Sequence, residues 1–144
     1  MAVKDTNEFH ALRQKQTTIA KQVVLEDLVS EVTSIGVVAQ SGDEALIFFS
    51  AVVVDALMNV IDESTSIATA AVPYVPGLLF FHEGPAVIAT VKKLRRLPDV
   101  LLVNGCGINY PRFAGLASHV GVILDMPTVG VSKKNALRAI YSTG

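Results

Sequence analysis

The sequence predicts an α/β fold, a mixed sheet with helices on both faces, and three observations carry that prediction. Two apolar stretches, Ile35 to Ala39 and Ala45 to Val54, are joined by a polar, glycine-containing segment, which is the pattern of an antiparallel hairpin. Beyond them, segments of helical periodicity alternate with short apolar runs as far as Ile140. One of those runs, Val100-Leu101-Leu102-Val103, is unbroken, as expected of a central parallel strand covered on both sides.

At the start of the chain, Asp5 and Glu8 have capping-box spacing before a segment whose Phe9, Leu12, Ile19 and Val23 recur at helical spacing. An amphipathic helix lying on the sheet is expected there. The hairpin turn falls at Gln40-Ser41-Gly42-Asp43-Glu44, and a third strand is expected over Val60 to Ala70, with Asp62-Glu63-Ser64 marking a sheet edge. Pro73 to Glu83 follows, where two prolines fix φ, Gly77 is conformationally free and Tyr74 is held on a stiff support. This loop reads either as a wedge with an exposed ring or as an ordinary strand-to-helix connection with Tyr74 on the core. A helix is expected from about Gly84-Pro85, with Val87, Ile88, Val91 and Leu94 along one side and Lys92, Lys93, Arg95 and Arg96 at its end. Pro98-Asp99 ends it. After the Val100–Val103 strand, Pro111 to Val122 reads as a helix with small packing residues, Thr128 to Val131 as a strand, and Asn135 to Ile140 as the start of a helix.

Composition bounds the function. The 144 residues form a single domain, 1–144, whose 51% hydrophobic and 17% charged content describes a large core rather than a disordered chain. No apolar run has the length of a membrane span, and the polar stretch Met1 to Gln22 is not a secretory signal, so no membrane partner and a cytoplasmic location are expected. The lone cysteine, Cys106, excludes an internal disulfide and a cysteine-rich zinc site. A net charge of −1 excludes nucleic-acid binding by bulk attraction, so any such contact has to be local.

Five motifs stand in one order and spacing: Pro73-Tyr74-Val75-Pro76-Gly77; Phe81-His82-Glu83-Gly84-Pro85; Val103-Asn104-Gly105-Cys106-Gly107; His119-Val120-Gly121; and Pro127-Thr128-Val129-Gly130-Val131-Ser132-Lys133-Lys134. On these residues the chain resembles the endonuclease V family, strongly from Thr69 to Lys134 and more faintly from Ser34 to Thr69. The resemblance implies a ribonuclease H-like sheet, an antiparallel three-strand meander plus parallel strands. It also implies an enzyme that cuts nucleic acid near a deaminated base, inosine above all, with carboxylate-held magnesium. Magnesium needs charged oxygen ligands to keep its octahedral shell and activate a water.

Here the sequence departs from the family. The first-strand aspartate position falls at Val38 and the central-strand aspartate at Asn104, leaving Glu83 as the remaining carboxylate. Two family histidine positions fall at Tyr110 and Cys106, whereas His119 and Lys133 match. The family's C-terminal segment, with a further acidic or histidine site residue, has no counterpart in this sequence. A catalytically inactive relative, a pseudo-nuclease that binds DNA or RNA carrying a deaminated or distorted base, is therefore expected, with no cofactor, or with magnesium if it is active. Its binding residues would be Pro73, Tyr74, Val75, Pro76 and Gly77 as the wedge, Gly105 and Gly107 as backbone open to a base, and His119, Lys133 and Lys134; Glu83 and Lys133 would be vestigial catalytic residues, Glu83 the one weak metal ligand. Each has a bland reading beside it: Glu83 as a helix-dipole partner, His119 as a packed core histidine, the lysines as a polar turn, and Lys92 to Arg96 as a solvated face. Two other functions stay open. One is a residual magnesium endonuclease using Glu83 with Asn104 or a shifted acid such as Asp125. The other is a homo-oligomeric structural or regulatory subunit without nucleic-acid affinity, and a homodimer at least is expected from the hydrophobic content.

Overall fold

A computed structural model describes residues 6–26, 30–43, 45–70 and 72–133. Five strands form one sheet in the order β3-β2-β1-β4-β5. β1 (Ser34–Gly42), β2 (Ile47–Asp55) and β3 (Val60–Ala68) make the antiparallel meander, while β4 (Val100–Asn104) and β5 (Thr128–Val131) add in parallel beyond β1. The expected mixed α/β sheet is present, and β3 occupies an edge, as its acidic run foretold.

Local chemistry fixes each turn. Asp43 closes the first hairpin by accepting from the Ala45 and Leu46 amides at 2.8 and 3.0 Å, and Asp55 does the same for Leu57 and Asn59 at 2.9 Å each. Asp99 joins the two parallel strands at their start: its Oδ2 accepts from the Thr33 amide and hydroxyl and from the Ser34 amide. Those donors hold the Asp99 carboxyl below the usual carboxylate range, chiefly the Thr33 amide.

The core lies on one face of the sheet. Val38, Phe49, Ala51 and Val53 pack with Leu101 and Val103 against Val87 and Val91 of α2 (Leu79–Lys92) and Leu116, Ala117 and Val120 of α3 (Leu116–Leu124). The alternate strand residues point the other way, and among them Val37, Phe48, Ile67 and Val129 are 43% to 62% exposed. Among the described residues none of these helices covers that outer face, so the expected helices on both faces are found on one face alone.

Two boundaries and one placement differ from expectation. α2 starts at Leu79, five residues before Gly84, and keeps Pro85 inside it. The proline removes one amide donor, yet the first turn is secured by Phe81 N–H donating to Leu78 O and by the burial of Leu78. The expected helix from Pro111 begins instead as a short 3₁₀ turn, Pro111–Phe113, with α3 following from Leu116. Arg112 and Phe113 both adopt left-handed φ, 58° and 59°, which interrupts any continuous helix. α1 (Thr6–Gln22) does not lie on the sheet as expected; its main neighbours are α3 and the 3₁₀ turn, because its Gln16 is buried there by polar contacts rather than its apolar stripe by the sheet. Asp5 and the helix expected from Asn135 lie outside the described residues.

Candidate functional site

The strand pairings and the path of α2 set which groups can meet. α2 runs antiparallel to β3: Thr90 O accepts from Ser64 Oγ at 2.7 Å, and the Arg95 amide beyond the helix donates to Asp62 at 2.8 Å. The start of α2, with Glu83, therefore stands at the end of the sheet where β1 and β4 finish, near Gln40 and Asn104. Asp125 caps the far end of α3, ahead of β5, which runs parallel to β4. It lies at the opposite sheet end and cannot stand in as a shifted acid.

At the site end, Val38 is fully buried in the core and paired with Val103. Asn104 is exposed at the tip of β4, and its carbonyl accepts from Gln40 Nε2 at 2.9 Å. Glu83 is half-buried, outside the first turn of α2, and among the described residues its carboxylate has no hydrogen-bond or ion-pair partner. That removes the helix-dipole explanation for it, since the macrodipole acts within the first turn. Among the described residues, no three His, Cys, Asp or Glu side chains are grouped to hold a metal ion. At the positions the resemblance assigns to magnesium ligands stand a hydrocarbon, Val38, and an amide, Asn104, and neither offers the charged oxygens a magnesium pair needs.

The loop ahead of α2 is more fully built. Tyr74 is 50% exposed, so the reading that buries it in the core fails. Its ring stands edge-on to His82, 5.7 Å between centroids, and His82 Nδ1 is 2.6 Å from Val72 O. Gly77 has φ 87°, a conformation that favours glycine, and the Leu78 amide closes the turn onto Val75 O at 2.9 Å. Gln16 and Arg112, both passed over by the sequence reading, lie beneath this loop together with Tyr110. Gln16 donates from Nε2 to Gly77 O, Pro111 O and Ala114 O at 2.9, 3.1 and 2.8 Å. Arg112 donates from Nε to Gln16 Oε1 and from Nη2 to Gly77 O at 3.1 Å. Burial pushes the Tyr110 phenol up, opposed by the Leu79 and Gly77 backbone groups bonded to it, so the residue at the family's histidine position also touches the loop. Burial, then the nearby Arg13, lowers Arg112 from its ordinary value.

His119 is 1% exposed, stacked on Phe80 at 4.1 Å and edge-on to Phe81 at 5.5 Å. Both its ring nitrogens are buried without a hydrogen-bond partner, and burial lowers its pKa to about 4. The packed-histidine reading describes this surrounding. Gly105 is explained by packing: a Cβ there would sit 2.9 Å from Leu116 Cβ, and its amide is committed to Val131 O at 2.9 Å. Gly107 is open, with Ser118 Oγ 3.8 Å from where a Cβ would stand. Lys133 is exposed, and Lys134 lies outside the described residues. In the basic cluster Arg95 pairs with Asp62 at 3.3 Å and Lys93 Nζ donates to Thr65 O at 2.9 Å, tying that helix end to β3.

Among the described residues, no helix is long and apolar enough to cross a membrane. At the level of fold, the chain is similar to ribonuclease H2 from Pyrococcus horikoshii, with a TM-score of 0.50 at 13% identity. It superposes on the catalytic domain of human endonuclease V with a TM-score of 0.85 and 32% identity, covering 91% of this chain and 60% of that one. It is 35% identical over 127 residues to endonuclease V of Dictyoglomus turgidum, which covers 88% of this chain and 55% of that protein. The chain thus spans little more than half the length of the curated relatives it matches. The family model for endonuclease V matches residues 17–143, so the chain belongs to the endonuclease V family.

Proposed function

We propose that this chain is a non-catalytic endonuclease V-like domain that binds DNA or RNA carrying a deaminated or distorted base through the Tyr74 wedge. The observation that carries the reading is the contrast between the two halves of the site. Val38 is sealed in the core at 0% exposure where a metal ligand is needed, while the wedge loop is exposed and braced from two elements, α1 and the 3₁₀ turn. Base separation by an aromatic wedge requires stacking but no metal, and the exposed Tyr74 ring supplies it. An endonuclease V from Ciona intestinalis, sharing this fold at 24% identity, has been solved with a 24mer DNA containing an inosine. The exposed outer sheet face is the surface through which we expect the chain to form a homo-oligomer.

The test is cleavage and binding of inosine-containing and matched oligonucleotides, single- and double-stranded, with magnesium, with manganese and with chelator. Binding without cutting is expected. Metal-dependent cutting that disappears in Glu83→Ala would replace this reading with that of a magnesium nuclease built around Glu83.

A further inference from the structure

The geometry points to Gln16 and Arg112 as positioning residues that hold the Tyr74 wedge in its protruding form through the Gly77 carbonyl. This rests on the binding role proposed above and assigns it two residues remote from the exposed ring.

Gln16 is 1% exposed and bonded at both ends of its amide: the two N–H groups of Nε2 are shared among three backbone carbonyls, and Oε1 accepts from Arg112 Nε. A glutamine so placed joins three segments distant in sequence, the α1 helix, the wedge loop and the 3₁₀ turn. The desolvation of that buried amide is offset by the bonds it makes to those carbonyls. Arg112 supplies the second arm of the same fork, from Nε to Gln16 and from Nη2 to Gly77 O. It reaches there from a left-handed backbone, φ 58°, followed by Phe113 at φ 59°. Such strain persists only where surrounding contacts hold it, and the contacts holding it end on the wedge. Gly77 is the positive-φ residue of that loop, three residues after Tyr74, so clamping its carbonyl restrains the backbone that carries the ring.

Two substitutions separate this role from simple alternatives. Gln16→Glu keeps size and the Arg112 contact but turns the donors facing three carbonyls into acceptors. Arg112→Lys keeps the charge but loses the fork, so a phosphate-binding Arg112 would tolerate it and a bracing one would not. The first readout is amide hydrogen exchange on the full chain. The Leu78 amide, bonded to Val75 O, should exchange about tenfold faster or more in both variants while β1 and β4 amides keep their protection. Unchanged exchange at Leu78, or acceleration shared by the strands, would overturn the assignment. The second readout is a mutant cycle on binding of an inosine-containing oligonucleotide. Gln16→Glu should weaken binding about tenfold when Tyr74 is present and less than about twofold in Tyr74→Ala, because its effect passes through the wedge. Equal losses in both backgrounds, or full binding by Arg112→Lys, would overturn it. Should the unaltered chain bind no oligonucleotide at all, the binding reading falls, and the exchange result still decides whether these two residues hold the loop.

Discussion

His119 shows what a single buried residue contributes. Its folded pKa of about 4 lies below the unfolded value near 6.5, so below pH 6.5 the unfolded chain binds a proton that the folded chain refuses. Stability from this group is therefore fully present above pH 6.5 and is lost as pH falls toward 4, by about 3 kcal/mol. Denaturation followed from pH 7 to 4 should show this slope in the unaltered chain, and His119→Phe should lack it. At pH 7 the same substitution is expected to be neutral or stabilising, since it removes two unpaired buried nitrogens. Val38 makes the complementary case. Val38→Asp would place a carboxyl in a sealed apolar site and should cost about 4 kcal/mol or more by chemical denaturation. Magnesium should not restore the loss; a midpoint that rises with added magnesium would reveal a latent metal site.

Among the elements, the packing of β5 against the Gly105–Gly107 segment tests how tightly the site end is framed. A Cβ on Gly130 would stand 2.6 Å from both Gly105 O and Gly107 N, and backbone atoms cannot yield as a side-chain tip can. Gly130→Ala should destabilise by about 2 kcal/mol or more in chemical denaturation, whereas Gly107→Ala, with open space, should change stability little. The strands were legible in the sequence because their apolar runs and turn residues agree: β4 and β5 appear within a residue of expectation, and Asp43 makes the turn its position suggests. The start of α2 was not legible, because Gly84-Pro85 resembles a helix start while Gly84 serves to seat the Phe80 ring. Nor was the break at Arg112, where the side chain's bonds to Gln16 and Gly77 impose a backbone conformation that residue type alone disfavours. The site followed the same division. Motif spacing located Glu83, Asn104 and the wedge, but Gln16 lies 61 residues from its Gly77 partner and carries no local signal.

For the whole molecule, a net charge of −1 places the weight of any nucleic-acid contact on local features, the exposed wedge ring above all. The outer sheet face, with Phe48 and Ile67 more than half exposed, should give a species above monomer mass by light scattering, shifted toward monomer in Phe48→Ser/Ile67→Ser. The most direct measurement of the central claim is fluorescence anisotropy in chelator, titrating the chain into labelled inosine-containing and matched oligonucleotides, alongside Tyr74→Ala. Preferential binding of the inosine strand that survives chelation, without cleavage and weakened about tenfold in Tyr74→Ala, is the expected result. Equal affinity for both strands, or binding indifferent to Tyr74, would contradict it.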